Sequence, residues 1–175
     1  MAGVILAQMT KRPQHAEEEG HDDHEEEVIT TVNYTLTSGS DVVTLTYRDL
    51  DGEGGNEGVT TVSGSLSANT TYAGAIELLN ETESPAENMT EEIEEEDDEH
   101  EFFFTSTVTG LTISKTDVDG DGNPLGLETS LASGAAGSGS ITIVLKHEPT
   151  KPNDGTSASA GGSTDLEVTF NVTVQ

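Results

Sequence analysis

Asp117, Asp119 and Asp121 stand at alternate positions in DVDGDGNPLGLE, and Glu128 closes the segment. That spacing fits D-x-D-x-D-G-x5-E, in which carboxylates at odd positions and a bidentate Glu at the twelfth surround a hard cation with oxygen. Asn123 would add its backbone carbonyl, and Leu125 sits where a water often completes the shell. Gly122 falls at the tight turn where a positive φ is wanted. The expected ligand is Ca2+.

This stretch resembles EF-hand-like calcium loops over those residues only. No flanking helices are visible in the sequence, and Pro124 stands where an apolar residue is usual. A looser version of the same spacing occurs in RDLDGEGGNEG, with Asp49, Asp51 and Glu53 alternating. No Glu falls at its twelfth place, and an ordinary glycine-rich loop explains it better than a metal site does.

Histidine offers a second chemistry. His15, His21 and His24 lie among Asp and Glu near the start of the chain, while His100 and His147 stand singly further on. Imidazole mixed with carboxylate suits Zn2+ or Cu2+, and a histidine set drawn from both regions is the alternative metal expectation. Catalysis has no comparable support. The chain has no Cys and no Trp, and neither a nucleophile–base spacing nor a phosphate-cradling loop is present. The expectation is that it is not an enzyme.

Charge narrows the partners. With 34 Asp+Glu against 6 Lys+Arg the formal charge is -28, so nucleic acid and anionic lipid are repelled while cations are drawn in. Nothing approaches the length of a membrane span. The absence of Cys removes disulfides and thiolate metal sites. Sequons at Asn33, Asn69, Asn80, Asn88 and Asn171 are possible glycan acceptors, although Thr-rich strands generate N-x-T by chance.

The elements that must position these residues read as strands. EVITTVNYTLT alternates Val28, Thr30, Val32, Tyr34 and Leu36 with a more polar set. Further candidates span 41–50, 59–67, 70–80, 101–116, 126–133, 138–148 and 164–175, separated by Gly, Asn and Asp clusters. Such a series predicts an all-β fold, a single jelly-roll or Ig-like β-sandwich. One short acidic surface helix is expected in SPAENMTEEIEEEDDEHEF, capped by Ser84 or Asn88, with Met89 and Ile93 as its apolar ridge. GAAGSGS and TKPNDGTSASAGGSTD read as loops.

Residues 1–26 divide from a sandwich domain at 27–175. Their acidic, Pro- and Gly-interrupted part, 10–26, favours an extended linker. Before it, AGVILAQMT is apolar on both faces of its central residues Val4, Ile5, Leu6 and Ala7, as a fully buried strand is. Donation of that strand to a neighbouring copy would give a head-to-tail homopolymer, because such a contact does not close on itself. A calcium-stiffened extracellular filament subunit is therefore the leading functional expectation. A periplasmic or cell-surface zinc- or copper-binding protein is the alternative.

Passages from HEEEVITTVNYTLT through YRDLDGEGG, ANTTY, LLNETESPAENMTEEIEEEDDEHEFFF and DVDGDGNPLGLET to TDLEVTFNVTV resemble a family of small acidic secreted proteins, often lipoproteins, of Bacteroidota-type bacteria. The resemblance implies an extracellular or surface location and carries no assigned activity. The lipid-bearing Cys typical of such lipoproteins is missing. Likeness to strand-donating fibre subunits is one of mechanism alone.

Overall fold

Burial alternates where the sequence alternates. In β1 (Thr31–Ser38) Val32, Tyr34 and Leu36 are fully buried, because successive side chains of a strand point to opposite faces. A computed structural model describes residues 28–51 and 58–175. β1 turns into β2 (Asp41–Arg48) through Gly39-Ser40, with Gly39 at φ 61°. Glycine at the first central position with positive φ suits the tight hairpin whose twist matches its strands.

The chain continues through β3 (Val59–Val62), β4 (Thr71–Asn80), β5 (Glu87–Asn88), α1 (Met89–Glu95) and β6 (His100–Ser106). β7 (Thr112–Lys115), β8 (Glu128–Ala132), β9 (Gly137–His147), α2 (Ser157–Ala160) and β10 (Ser163–Val174) complete it. Two antiparallel sheets pack together as an all-β sandwich. One has the order β3-β2-β1-β4-β8-β7, with β5 beside β4, and the other β10-β9-β6. Their facing sides share one core that includes Tyr34, Tyr72, Phe102, Leu131, Ile143 and Phe170. Each such side chain contributes about 1.5–3 kcal/mol when withdrawn from water.

Three local expectations change. The candidate at 101–116 is two strands in different sheets, β6 and β7, because the polar run before Leu111 carries the chain across the sandwich edge. The acidic helix is confined to α1 and is capped by Asn88, whose side chain accepts from the Thr90 amide, and not by Ser84. Met89 and Ile93 do form its buried ridge, and they join the main core. Part of the segment read wholly as loop forms α2, whose Ala160 packs with Phe103 and Val144 on the outer face of the smaller sheet.

Within the larger sheet the Tyr34 hydroxyl meets the Thr129 hydroxyl at 2.7 Å in a buried contact. Burial pushes the Tyr34 phenol up to about 12, against the opposing pull of the Thr129 hydrogen bond. Gly74 lies beneath this pair, and a Cβ there would come within 2.8 Å of the Tyr34 hydroxyl and strike Thr129 as well. Gly74→Ala is therefore expected to destabilise the domain by about 1–3 kcal/mol through overpacking. Urea unfolding followed by circular dichroism measures it, with Gly64→Ala, which meets nothing within 4 Å, as the comparison.

Candidate metal centre

His100 opens β6 and His147 closes β9, and the two are register partners across the smaller sheet. Period two puts them on the same face as Phe102 and Leu145, so they lie at the end of the core. Their rings stack with centroids 4.8 Å apart at 19°. His100 is fully buried, and its Nδ1 lies 3.0 Å from the Glu96 carbonyl oxygen just beyond α1. A carbonyl only accepts, so this contact puts the proton of the neutral imidazole on Nδ1 and fixes the orientation of the ring.

The third member arrives through an irregularity. β10 pairs with β9 in register up to Thr164, then shifts before Leu166, so Asp165 is an extra residue in the ladder. A bulge of this kind re-aims a side chain that regular pleating would send elsewhere. The candidate ligand atoms of His100, His147 and Asp165 lie within 4.8 Å of one another. Glu99, His147 and Glu148 form a second such group, with His147 common to both. His147 Nε2 lies 3.4 Å from Glu99 Oε2, and the Glu148 amide donates to the Glu99 carbonyl at 2.6 Å. Two imidazoles with carboxylates are a donor set for Zn2+ or Cu2+; calcium prefers six or more oxygens.

The 117–128 segment takes a different form from a helix-flanked calcium loop. It is the long connection of the β7–β8 hairpin, with Gly122 at φ 87° as its spacing predicts. Asp117 Oδ1 accepts from the Gly126 amide at 2.8 Å, and its Oδ2 accepts from Leu127 and Glu128 at 2.8 and 3.1 Å. Asp119 Oδ1 accepts from the amides of Asp121 and Asn123 at 3.0 and 2.7 Å. Its Oδ2 accepts from Lys151 Nζ at 3.0 Å and from the Asn123 side chain at 3.2 Å. Asp121 and Glu128 are exposed. Asp117, Asp119, Asp121 and Glu128 are not among the ligand groups that converge within the described residues.

Of the looser acidic set, Asp49 accepts from the Tyr47 hydroxyl at 3.3 Å and from the Asp51 amide at 3.3 Å. Glu53 lies outside the described residues, as do His15, His21, His24 and the strand candidate at Val4–Ala7. Among the sequons, Asn69 and Asn171 are exposed, Asn80 is buried, Asn88 caps α1 and Asn33 bonds Glu77 and Thr46 across the sheet. Sequence reasoning placed His100 and His147 in a metal set but missed Asp165, Glu99 and Glu148. Pairing of the two histidines follows from β6 and β9 being neighbours; the bulge at Asp165 has no signature in TDLEV.

Among the described residues no helix is long and apolar enough to cross a membrane.

Asp119 supplies a pH prediction. Burial alone would raise its carboxyl, but Lys151 and Asn123 together outweigh this and hold it at about 2, below its ordinary 3.8. A depressed carboxyl stabilises the fold fully above pH 3.8, and that contribution is lost as pH falls through about 2. Lys151→Met strands a carboxylate whose side chain has no exposure. The variant should lose about 3 kcal/mol at neutral pH and unfold in acid at a higher pH than the parent, as followed by circular dichroism.

No protein-family model, curated protein or solved structure matches this chain, so its function has to be argued from the residues that the fold brings together.

Proposed function

We propose that this protein binds a divalent transition metal, zinc or copper, at the end of its smaller sheet and holds it outside the cytoplasm, at the cell surface or in the periplasm. The observation that carries this reading is the His100–His147 register pair with Asp165 alongside. Each ligand comes from a different strand of one sheet, which fixes three donors with little freedom to lose on binding. His100 is further oriented by the Glu96 carbonyl, as the second nitrogen of a metal-bound imidazole commonly is.

Electrostatics favour the same reading. The centre sits beside α1 and the acidic run that follows it, in a chain of formal charge -28. That field raises the local concentration of cations and lowers that of competing anions. Glu99 and Glu148 surround the shared His147 and add carboxylate donors. A calcium role for the 117–128 loop has less support, since both oxygens of Asp117 and of Asp119 already accept hydrogen bonds from the protein. Head-to-tail polymerisation would depend on residues outside the described set.

Titration of chelator-treated full-length chain with Zn2+ or Cu2+ by calorimetry tests the proposal. Stoichiometric binding with release of protons is expected. His147→Ala, which removes the residue common to both ligand groups, should weaken it by at least about tenfold, and Asp165→Asn by less. Binding left unchanged by a combined His100→Ala and His147→Ala substitution would mean that the ion sits elsewhere, and the reading would fail.

A further inference from the structure

Lys115 ends β7, Glu101 lies in β6, and Asn153 follows β9 in the chain that leads to α2. One carboxylate brings all three together. Glu101 Oε1 accepts from Lys115 Nζ in a very close contact, while Glu101 Oε2 accepts from Asn153 Nδ2 at 2.6 Å. The amine nitrogen and the amide nitrogen are thus held side by side by the two oxygens of a single group.

The amide is also fixed in orientation. Asn153 Oδ1 accepts from the Gly155 amide at 2.8 Å, and Nδ2 donates a second time to the Thr150 carbonyl at 3.0 Å. The carbonyl oxygen therefore already faces a backbone N–H, and the nitrogen already faces a carboxylate. Glu101 is only 3% exposed and the Lys115 side chain 15%. Phe103 walls the amine, with Nζ 4.3 Å from its ring centroid. Gly126, at φ 103°, leaves the space through which the lysine stem passes, since a Cβ there would lie 3.2 Å from Lys115 Cδ.

We propose that Lys115 and Asn153 form an intramolecular amide cross-link, with Glu101 as the proton carrier. The amine loses a proton to Glu101 and attacks Asn153 Cγ, forming the Nζ–Cγ bond. Negative charge developing on Oδ1 is met by the Gly155 N–H, as in an oxyanion hole. Glu101 moves protons from the attacking nitrogen to Nδ2, the Cγ–Nδ2 bond breaks, and ammonia leaves carrying the remaining proton as ammonium. Lys-NH3+ and Asn-CONH2 become one secondary amide plus NH4+, with Glu101 returned as carboxylate. No oxidant or co-reactant is needed.

Burial supports the nucleophile, for it pushes the Lys115 amine below its ordinary value although Glu101 opposes this. A desolvated lysine is the usual form of a nucleophilic one. Holding amine and amide on one carboxylate supplies the proximity that a slow amide exchange requires. A cavity of about 300 Å³, lined in part by Lys115, Asn123, Pro152 and Asn153, gives ammonia a way out. Such a bond would tie β7 of the larger sheet to the segment that crosses the outer face of the smaller one.

Intact-mass measurement on denatured full-length protein decides the matter. The expected result is a mass lower by one ammonia, about 17 Da, a branched tryptic peptide joining Lys115 to Asn153, and no cleavage after Lys115. Lys115→Met, Glu101→Gln and Asn153→Ala should each show the unaltered mass calculated for the variant. Asn153→Asp, nearly isosteric, should re-form the link with loss of water. A parent chain at its full calculated mass with Lys115 cleaved by trypsin overturns the proposal. So does ammonia loss without a branched peptide, which is the mark of an asparagine succinimide, or loss that persists in Lys115→Met.

Discussion

Lys151 holds together an end of the molecule that its own charge would push apart. Its ammonium donates to the Asp97 carbonyl at 2.7 Å and to Asp119 at 3.0 Å, and its side chain is 6% exposed. Three segments meet there: the acidic run after α1, the β7–β8 connection and the chain beyond β9. In a protein with 34 acidic residues and 6 Lys and Arg, each buried cation is a scarce structural element. Loss of one partner from a buried pair leaves an uncompensated charge, which costs far more than an exposed pair contributes. Arg48 with Glu81 is the exposed contrast, its side chain being half accessible.

The smaller sheet uses both of its faces, and β6 shows how. His100 and Phe102 point to the common core, whereas Glu101 and Phe103 point outward toward Lys115 and α2. A step of one residue along the strand therefore separates an imidazole site from an amine–carboxylate–amide site by the thickness of the sheet. β9 is buried on both sides for the same reason, with Ile143 and Leu145 facing inward and Val144 facing α2. The stretch FFF in β6 is continuous apolar sequence because each face has something to cover it.

Much of the sandwich was legible because period-two patterning is local. Tyr72, Ile76 and Leu78 in β4, and Val168, Phe170 and Val172 in β10, alternate in the sequence as they do in the structure. The Asn88 cap and the Met89–Ile93 ridge were legible for the same reason, since each depends on residues within one turn. What was not legible depends on distant neighbours. DVDGDGNPLGLE has ligand spacing, yet Asp119 turns to Lys151, a partner 32 residues away. Asp165 needs a ladder slip against β9, and the Glu101–Asn153 contact joins residues 52 apart. No window of local sequence contains those pairings.

The place of β1 has a mechanical meaning. Its residues are hydrogen-bonded along almost their whole length to β2 on one side and to β4 on the other. β10 has a full partner only in β9, with a short parallel bridge from Val174 to Leu66 at its far end. A tensile load drawn through Thr31 must shear two antiparallel ladders at once. The same load drawn through β10 works chiefly against one, so the molecule should yield first along the β9–β10 seam, next to the bulge that carries Asp165.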